Sequence, residues 1–431
     1  MSRADVAKNI GTNSLRFVLA LVFAFSGFVK AVDPMGTVYK MADYAEAFGL
    51  TVHPATLLVG ACVLIAVEYV MGVALFFGLY RRFYLWCMTL FLAVMTPLTL
   101  VLALTNPVSD CGCFGDAIVL TNWQTFGKNV ALLLMAVVTL ANSRRIWRII
   151  SERSQWLIFV YALGSVVGFM IYNMRHLPVV DFRPYSIGTN IVEAMTVPED
   201  APQDEYETYF VVEKDGQQRT VTADEYVDST WTFVSRQSRL VSRGYVPPIT
   251  DLHLTSLDGD DMTWEVLEQP GYTFLLVAHD LERTNEGMLD VINDLYDYAK
   301  VNGYAFYMVT SSNSQAIERW TEHTGATYPY LQADDIPLKT MVRANPGLVI
   351  LNDAVVVGKW SAEDMPRDEK LSVPMEHNAA MTITPREIKT RHMAMGVWML
   401  FPLLLLLLID KNLKSNKNKN TSINNYKSKR K

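Results

Sequence analysis

Cysteine is scarce in this chain, with four residues in 431. That excludes a disulfide scaffold of the kind that staples small loop-rich domains. The scarcity is also uneven: nothing after Cys113 carries a thiol, so the long polar segment beyond residue 174 cannot exchange disulfides by itself. Histidine is sparse, with seven residues and none beside the cysteines, and the spacing matches no common zinc site. There are no internal repeats. The first apolar run lacks the marks of a cleaved leader, because it is long, carries Lys30 late and has no small-residue pattern before Asp33-Pro34.

What is abundant is apolar sequence, at 50% of residues, which in a chain this long argues against one soluble domain. Six apolar runs reach the roughly 17–25 residues that cross a bilayer. They are 15–32, 56–79, 83–104, 123–141, 155–173 and 393–409. Basic residues flank alternate connections: Arg3, Lys8 and Arg16 before the first run, Arg81-Arg82 after the second, and Arg144, Arg145, Arg148 and Arg153 after the fourth. The tail after Asp410 is rich in Lys, Asn and Ser. The positive-inside rule puts all four on the cytoplasmic side. A multi-pass protein of the bacterial inner membrane is expected, with both termini cytoplasmic and a large periplasmic domain. From 174 to 393 there are 35 acidic and 18 basic residues, a net of −17, which argues against nucleic acid as a partner.

The expected organisation is a four-helix membrane domain over 1–141, a basic cytoplasmic linker over 142–154, and a fifth span over 155–173. A periplasmic connector with a small strand pair follows over 174–242. Residues 243–370 read as an α/β domain. Tyr272 to Ala278 is a continuous apolar run of the kind a buried parallel strand has, and Tyr304 to Val309 is a second. A helical pattern runs through Met288, Ile292, Leu295 and Ala299, and Ser314 can cap another helix. Leu348 to Leu351 and Val355 to Val357 flank a hairpin turn at Asn352-Asp353. The sixth span, 393–409, leads to a basic, disordered tail over 410–431.

The most informative stretch is Cys111-Gly112-Cys113-Phe114-Gly115, in a short loop between the third and fourth spans. A Cys-x-Cys disulfide closes a very small ring and should be easily reduced, and Gly112 and Gly115 give the backbone the freedom it needs. Asp110 and Asp116 flank the pair. They would raise the thiol pKa unless they handle protons. A soft-metal site or a purely structural loop are the alternatives. Cys62 and Cys87 lie inside the second and third spans, where free cysteine packs as a small hydrophobe. Their depths argue against a direct bond. Glu68 sits near the middle of the second span, and an intramembrane carboxylate is a functional-site candidate by default. Its structural alternative is a polar contact to a hydroxyl or to Lys30. Gly72 and Gly78 suit close helix packing, and Pro97 is expected to kink the third span.

Residues 14–141 resemble the DoxX and MauE group of four-helix bacterial membrane proteins. The resemblance rests on Arg16, Ser26-Gly27-Phe28-Val29-Lys30 followed by Asp33-Pro34, Glu68 with Gly72, Arg81-Arg82, and the Cys111–Gly115 run, which is closest to MauE. It implies a redox-associated membrane protein. MauE is associated with methylamine utilisation and with maturation of a disulfide-rich periplasmic dehydrogenase subunit, and DoxX relatives with quinone-coupled sulfur oxidation. The outer domain resembles thioredoxin-like proteins of the TlpA type. Pro247-Pro248, a strand over Leu252–Leu257, Asp258-Gly259 and the 272–278 strand carry its opening. Asn345-Pro346, at the family's cis-proline position, and the strands that follow carry its close. Where that family places Cys-x-x-Cys, this chain reads His279-Asp280-Leu281-Glu282-Arg283-Thr284-Asn285. A lone histidine there is more often a surface residue than a ligand.

The expectation is an α-helical membrane protein with a thioredoxin-like periplasmic domain that has lost its redox cysteines. Cys111 and Cys113 form the redox pair, and Glu68, Asp110 and Asp116 are the candidates for handling protons. A quinone is the natural electron partner, although no quinone site is legible in the sequence. A periplasmic client docked by the outer domain is the expected substrate. The alternatives are a non-enzymatic membrane scaffold or assembly factor with structural cysteines, and, more weakly, a small-solute transporter using Glu68 and Lys30.

Overall fold

The computed structural model describes residues 2–108, 110–214, 216–222, 225 and 230–428. Six of its helices are long and apolar enough to cross a membrane, and they accompany an α/β region, as the sequence predicts. The membrane helices are α1 (Arg3–Val32), α3 (Pro54–Phe77), α4 (Arg81–Thr105), α5 (Asn122–Ala141), α6 (Gln155–Arg175) and α12 (Pro385–Ser428). Between α1 and α3 lies α2 (Pro34–Ala47), which the hydropathy reading does not anticipate. Its start was nonetheless written locally. Asp33 accepts a hydrogen bond from the Gly36 N–H at 3.0 Å, and Pro34 takes the first helical turn.

Helices α1 and α3 approach closely because two glycines let their backbones meet. A Cβ on Gly27 would lie 2.5 Å from the Tyr69 nitrogen, and one on Gly72 would lie 2.3 Å from the Ala24 nitrogen. Asn173 of α6 donates to the Ala31 carbonyl at 3.1 Å, and α12 leans on α6 through the Tyr161 hydroxyl, 2.7 Å from the Met399 carbonyl. Pro97 sits within α4. One end of the bundle gathers the basic segments. Asn13 donates to the Arg145 carbonyl, Arg16 to that of Trp147 and Arg81 to that of Ile146. The Cys111 loop, α2 and the α/β region lie at the other end. Helix α12 continues past the expected span. Residues 429–431, and the side chains from 415 on, fall outside the described residues, so the disorder expected over 410–431 remains an expectation.

The outer module begins with a short helix, α7 (Ile191–Met195), and an antiparallel three-stranded sheet of β1 (Glu205–Lys214), β2 (Gln217–Thr222) and β3 (Thr232–Ser242) in the order β2-β1-β3. That is three strands where the sequence reading expected a pair. A five-stranded sheet follows, built from β4 (Tyr272–Val277), β5 (Ala305–Thr310), β6 (Tyr330–Gln332), β7 (Gly347–Asn352) and β8 (Val355–Ser361). Its order is β6-β5-β4-β7-β8, with β4, β5 and β6 parallel and β7 and β8 antiparallel to their neighbours. The helices are α8 (Thr263–Leu267), α9 (Leu289–Asn302), α10 (Ser314–Thr324) and α11 (Asp335–Met341). This is the thioredoxin-like topology, and the Asn345–Pro346 peptide is cis.

Alternation along the buried strands feeds two cores. Phe274, Leu276, Leu348 and Ile350 pack toward α9 and α10, while Leu275, Val277, Val349 and Leu351 pack toward Leu338, Met341 and Leu252. Tyr185 and Ile191 are buried in the second core, so this part of the connector packs onto the sheet. Three local readings need correction. Leu252–Leu257 forms only bridges at Thr255, α10 is capped by Asn313, and the β7–β8 turn uses Asp353 and Ala354, both at positive φ.

Candidate functional site

The sequence pattern puts Ser26 and Lys30 one helical turn apart on α1, hence on one face. The glycine contacts press that face against α3 at the level of Glu68. Lys30 donates through Nζ to both Glu68 carboxylate oxygens at 2.8 Å, and both side chains are almost fully buried. The polar contact expected for Glu68, to a hydroxyl or to Lys30, is made to both. Ser26 Oγ lies 2.7 Å from Glu68 Oε2 and 2.8 Å from the Cys113 carbonyl oxygen. A serine hydroxyl carries a single proton for these two acceptors. The intramembrane carboxylate is therefore linked through one side chain to the backbone of the cysteine loop.

In that loop Cys111 and Cys113 are disulfide-bonded, and Gly112 and Gly115 both have positive φ. The loop separates two cavities. On its membrane side, a cavity of about 230 Å³ is lined by Cys111 and Cys113 together with Ser26, Lys30, Glu68 and Lys128. On its outer side, a cleft of about 660 Å³ is lined by Asp110, Gly112, Gly115 and Asp116 from the loop, by α2, and by Asp335, Lys339 and Arg343 from the outer module. Both cysteines are half-buried. The structure thus brings Cys111, Cys113 and Glu68 around one cavity.

The two aspartates go elsewhere. Asp110 accepts from Lys40 Nζ at 2.8 Å and from the Gly112 N–H at 2.8 Å, which fixes the turn. Asp116 faces the outer cleft, 3.5 Å from the Arg343 guanidinium. Burial within the cleft pushes its carboxyl above the usual range, Arg343 opposes this, and the charge of Asp33 adds to it. Cys62 and Cys87 are unpaired and half-buried, and neither lines the cavity of the disulfide. Among the described residues no group of three or more His, Cys, Asp or Glu could hold a metal ion.

Charge around the sulfurs was the main thing the sequence reading missed. Lys128 lies on α5 with its ammonium 4.4 Å from the centroid of the Phe114 ring. The test that singled out Glu68, an ionisable residue at membrane depth, would have found it too. Lys40 neutralises Asp110, and Arg343 lies 3.5 Å from Asp116, so the loop is less acidic than the sequence suggests.

The edge of the outer module where a thiol couple would sit is turned toward the membrane module. Arg343, three residues before Pro346, donates through Nε to Asp33 Oδ1 at 3.2 Å and through Nη2 to Oδ2 at 2.6 Å, a bidentate pair across the two modules. Lys339 Nζ and Arg343 also sit over the Tyr39 ring, at 4.8 and 5.3 Å. Burial alone would raise the Asp33 carboxyl, but Arg343 and then Arg183 outweigh it and hold it below the ordinary carboxylate range. His279 is half-buried rather than at the surface, 3.8 Å from Asp335, and its Nδ1 has no hydrogen-bond partner among the described residues. Burial first, then Lys339, keeps its pKa below the ordinary value. Next to it, Asn345 donates to the Asp280 carbonyl at 2.6 Å.

Residues 8–142, just under a third of the chain, match the family described as Methylamine utilisation protein MauE. Residues 206–243, which hold most of the β1–β3 sheet, match a Domain of unknown function (DUF8463). No curated protein matches the sequence. Two solved structures are similar to parts of it. One is a solution structure of a candidate protein disulfide isomerase from Bacteroides thetaiotaomicron, at 17% identity over 27% of this chain and 77% of that one, with a TM-score of 0.22. The other is a crystal structure of an uncharacterised conserved protein from Geobacillus kaustophilus, at 15% identity over 35% and 78%, also with a TM-score of 0.22. Neither likeness carries an argument at those scores. The thioredoxin-like assignment rests on strand order and direction.

Proposed function

We propose, taking the MauE-like membrane module as the premise, that this multi-pass membrane protein exchanges disulfides through Cys111 and Cys113. One observation supports the reading above the rest: the loop that carries the pair borders both an outer cleft, through Gly112 between the two cysteines, and the intramembrane cavity that the cysteines line. A thiol–disulfide couple served from two sides can pass electrons between a soluble partner and a membrane partner. The soluble partner is a periplasmic protein whose cysteine reaches the pair by way of the outer cleft. The outer module forms one wall of that cleft and so positions the client, without sulfur chemistry of its own.

Exchange begins when a client thiolate attacks one sulfur and the other leaves as thiolate. Lys30 and Lys128 face the cavity with one carboxylate between them, which favours that developing negative charge. Asp116, raised by burial in the cleft, is the better placed of the two aspartates to hand over a proton, since Asp110 is tied to Lys40. Positive-inside reasoning orients the loop and the outer module toward the periplasm of a bacterial inner membrane.

Mass-shift trapping of thiols in native membranes tests the proposal. Cys113→Ser is expected to accumulate a mixed disulfide through Cys111, and Cys111→Ser through Cys113. If both cysteines hold one state under every oxidant and reductant, the couple is inert and the scaffold alternative takes its place.

A further inference from the structure

We infer that the basic end of the membrane module binds an anionic phospholipid, with its phosphate at Arg82 and Arg148 and one acyl chain in a groove between α3 and α4. The site lies at the end of the bundle away from the cysteine loop and does not depend on the thiol–disulfide reading. The first support is an excess of guanidinium. Arg81 turns inward and donates to the Ile146 carbonyl at 2.6 Å and to that of Arg144 at 3.4 Å. Arg82 and Arg148 lie within electrostatic reach of it, and Glu152 with them. The acids that reach this end already have partners: Asp5 pairs with Arg145, Glu152 with Arg148 and Asp410 with Lys414. Among the described residues no carboxylate pairs with Arg82 or Arg144, and both are exposed. Like charges gathered in this way repel one another until an anion comes between them. A phosphate does so through several oxygens that accept from guanidinium.

The second support is that the arginines are already in place. The linker between α5 and α6 is pinned to the bundle. Arg16 donates to the Trp147 carbonyl at 2.6 Å, the Ile149 N–H to the Phe77 carbonyl at 3.2 Å, and Ile146 and Ile150 are buried in the helical core. A headgroup arriving there orders no loose segment. The third is a continuous path from headgroup to tail. Arg82, Trp86, Leu90 and Val94 form one i,i+4 row along α4, exposed throughout. Leu90 and Val94 line an apolar groove of about 330 Å³ whose other wall is Val67 and Met71 of α3. At about 1.5 Å per residue, the groove positions from Cys87 to Met95 lie roughly 8–20 Å deeper along the helix than Arg82. That is the depth an acyl chain occupies in a hydrocarbon core ~30 Å thick. Trp86, Trp147 and Trp156 are exposed at the same end, where an interfacial belt of aromatic rings belongs. The groove has nothing to offer a water-soluble phosphate, so the occupant is a lipid.

The test uses the full chain in nanodiscs of phosphatidylcholine doped with a photoactivatable lipid that carries a diazirine in its acyl chain. Phosphatidylglycerol and phosphatidylcholine probes are compared at equal mole fraction, and the labelled peptides are mapped by mass spectrometry. The phosphatidylglycerol probe should label the groove segments 67–71 and 87–95 several-fold more than the phosphatidylcholine probe. Arg82→Gln and Arg148→Gln should each cut that excess roughly fivefold. Labelling by phosphatidylcholine in the same variants should be unchanged, which shows that the fold and the groove persist. Arg153→Gln, exposed at the same end but outside the cluster, should keep the excess. Val94→Trp, which fills the groove, should lower labelling by both probes. An excess of glycerol phosphate should displace nothing; if it does, the site takes soluble phosphate and the lipid assignment fails. Equal labelling by the two probes, an equal loss in Arg153→Gln, or groove labelling untouched by Val94→Trp would overturn it.

Discussion

The membrane module and the outer module divide between them what a single thiol-exchange domain usually combines. The outer module has the five-stranded sheet, the edge formed by the ends of β4 and β5, and a cis-proline, yet no cysteine. The membrane module has the sulfur pair on a loop between helices. Each also buries an ion pair. Lys30–Glu68 connects through Ser26 to the cysteine loop, whereas Lys359–Asp181, at 2.7 Å, fastens the connector to β8. The same interaction touches the cysteine loop in one place and secures a fold in the other. The thioredoxin-like scaffold and the cysteine pair lie in different modules, and the Asp33–Arg343 pair joins the two.

The comparison can be broken most sharply at the sulfurs. Cys111→Ser or Cys113→Ser should abolish oxidation of dithiothreitol by the protein, while His279→Ala in the outer module should leave it within about twofold of the original rate. Counting free thiols by maleimide mass shift reads both. Loss of activity in His279→Ala would put chemistry back into the outer module.

Next in size are the buried pairs. Glu68→Leu and Asp181→Leu each strand a buried ammonium, and removing one partner of such a pair costs about 3–5 kcal/mol. Both should lower the unfolding midpoint in detergent. Only Glu68→Leu should also change the rate at which Cys111 and Cys113 react, because only it takes an acceptor from Ser26. Equal thiol rates in the two variants would separate Glu68 from the loop.

Arg343→Ala removes the bidentate contact between modules, and hydrogen bonds to charged groups are worth roughly 1.5–3 kcal/mol. Amide exchange should quicken over 33–40 and 335–343 while the β4–β7 core stays protected. Protection unchanged over both segments would mean the modules are held together elsewhere.

The smallest effect is with pH. Lys359 and then Arg183 outweigh the effect of burial and depress Asp181 to about 2. Its stabilisation is thus complete above the unfolded value near 3.8 and is lost as pH falls through about 2. Asp33 is depressed too and follows the same sign, so acid should weaken the contact between modules below the ordinary carboxylate range. An acid titration of tertiary circular dichroism in wild type and Asp181→Asn would show whether the loss disappears with the carboxylate.

Much of this comparison was already legible in the sequence. Runs of apolar residues announce spans, the Cys111–Gly115 motif announces the loop, and the cysteine-free stretch after Ala278 announces an outer module without thiols. The cost of a carboxylate in hydrocarbon points to a partner for Glu68, and Lys30 was already named. What could not be read is long-range. Arg343 and Asp33 are 310 positions apart, and nothing local to either marks the other. Lys40 reaches Asp110 only because α2 folds back over the loop. Strand β6 and helix α11 are too short for periodicity to show them. Leu252–Leu257 alternates like a strand but is used as a packed extended segment, with Leu252 and Leu254 buried in the second core. Lys128 was in plain view, and only the habit of reading charge as surface hid it.

The central claim is that Cys111 and Cys113 change redox state together while the outer module supplies position. The most direct test is mass-shift trapping of these two thiols in native membranes, with the respiratory chain held first oxidised and then reduced. The account predicts that the pair moves from disulfide to dithiol between the two conditions. A pair fixed in one state through both would contradict it.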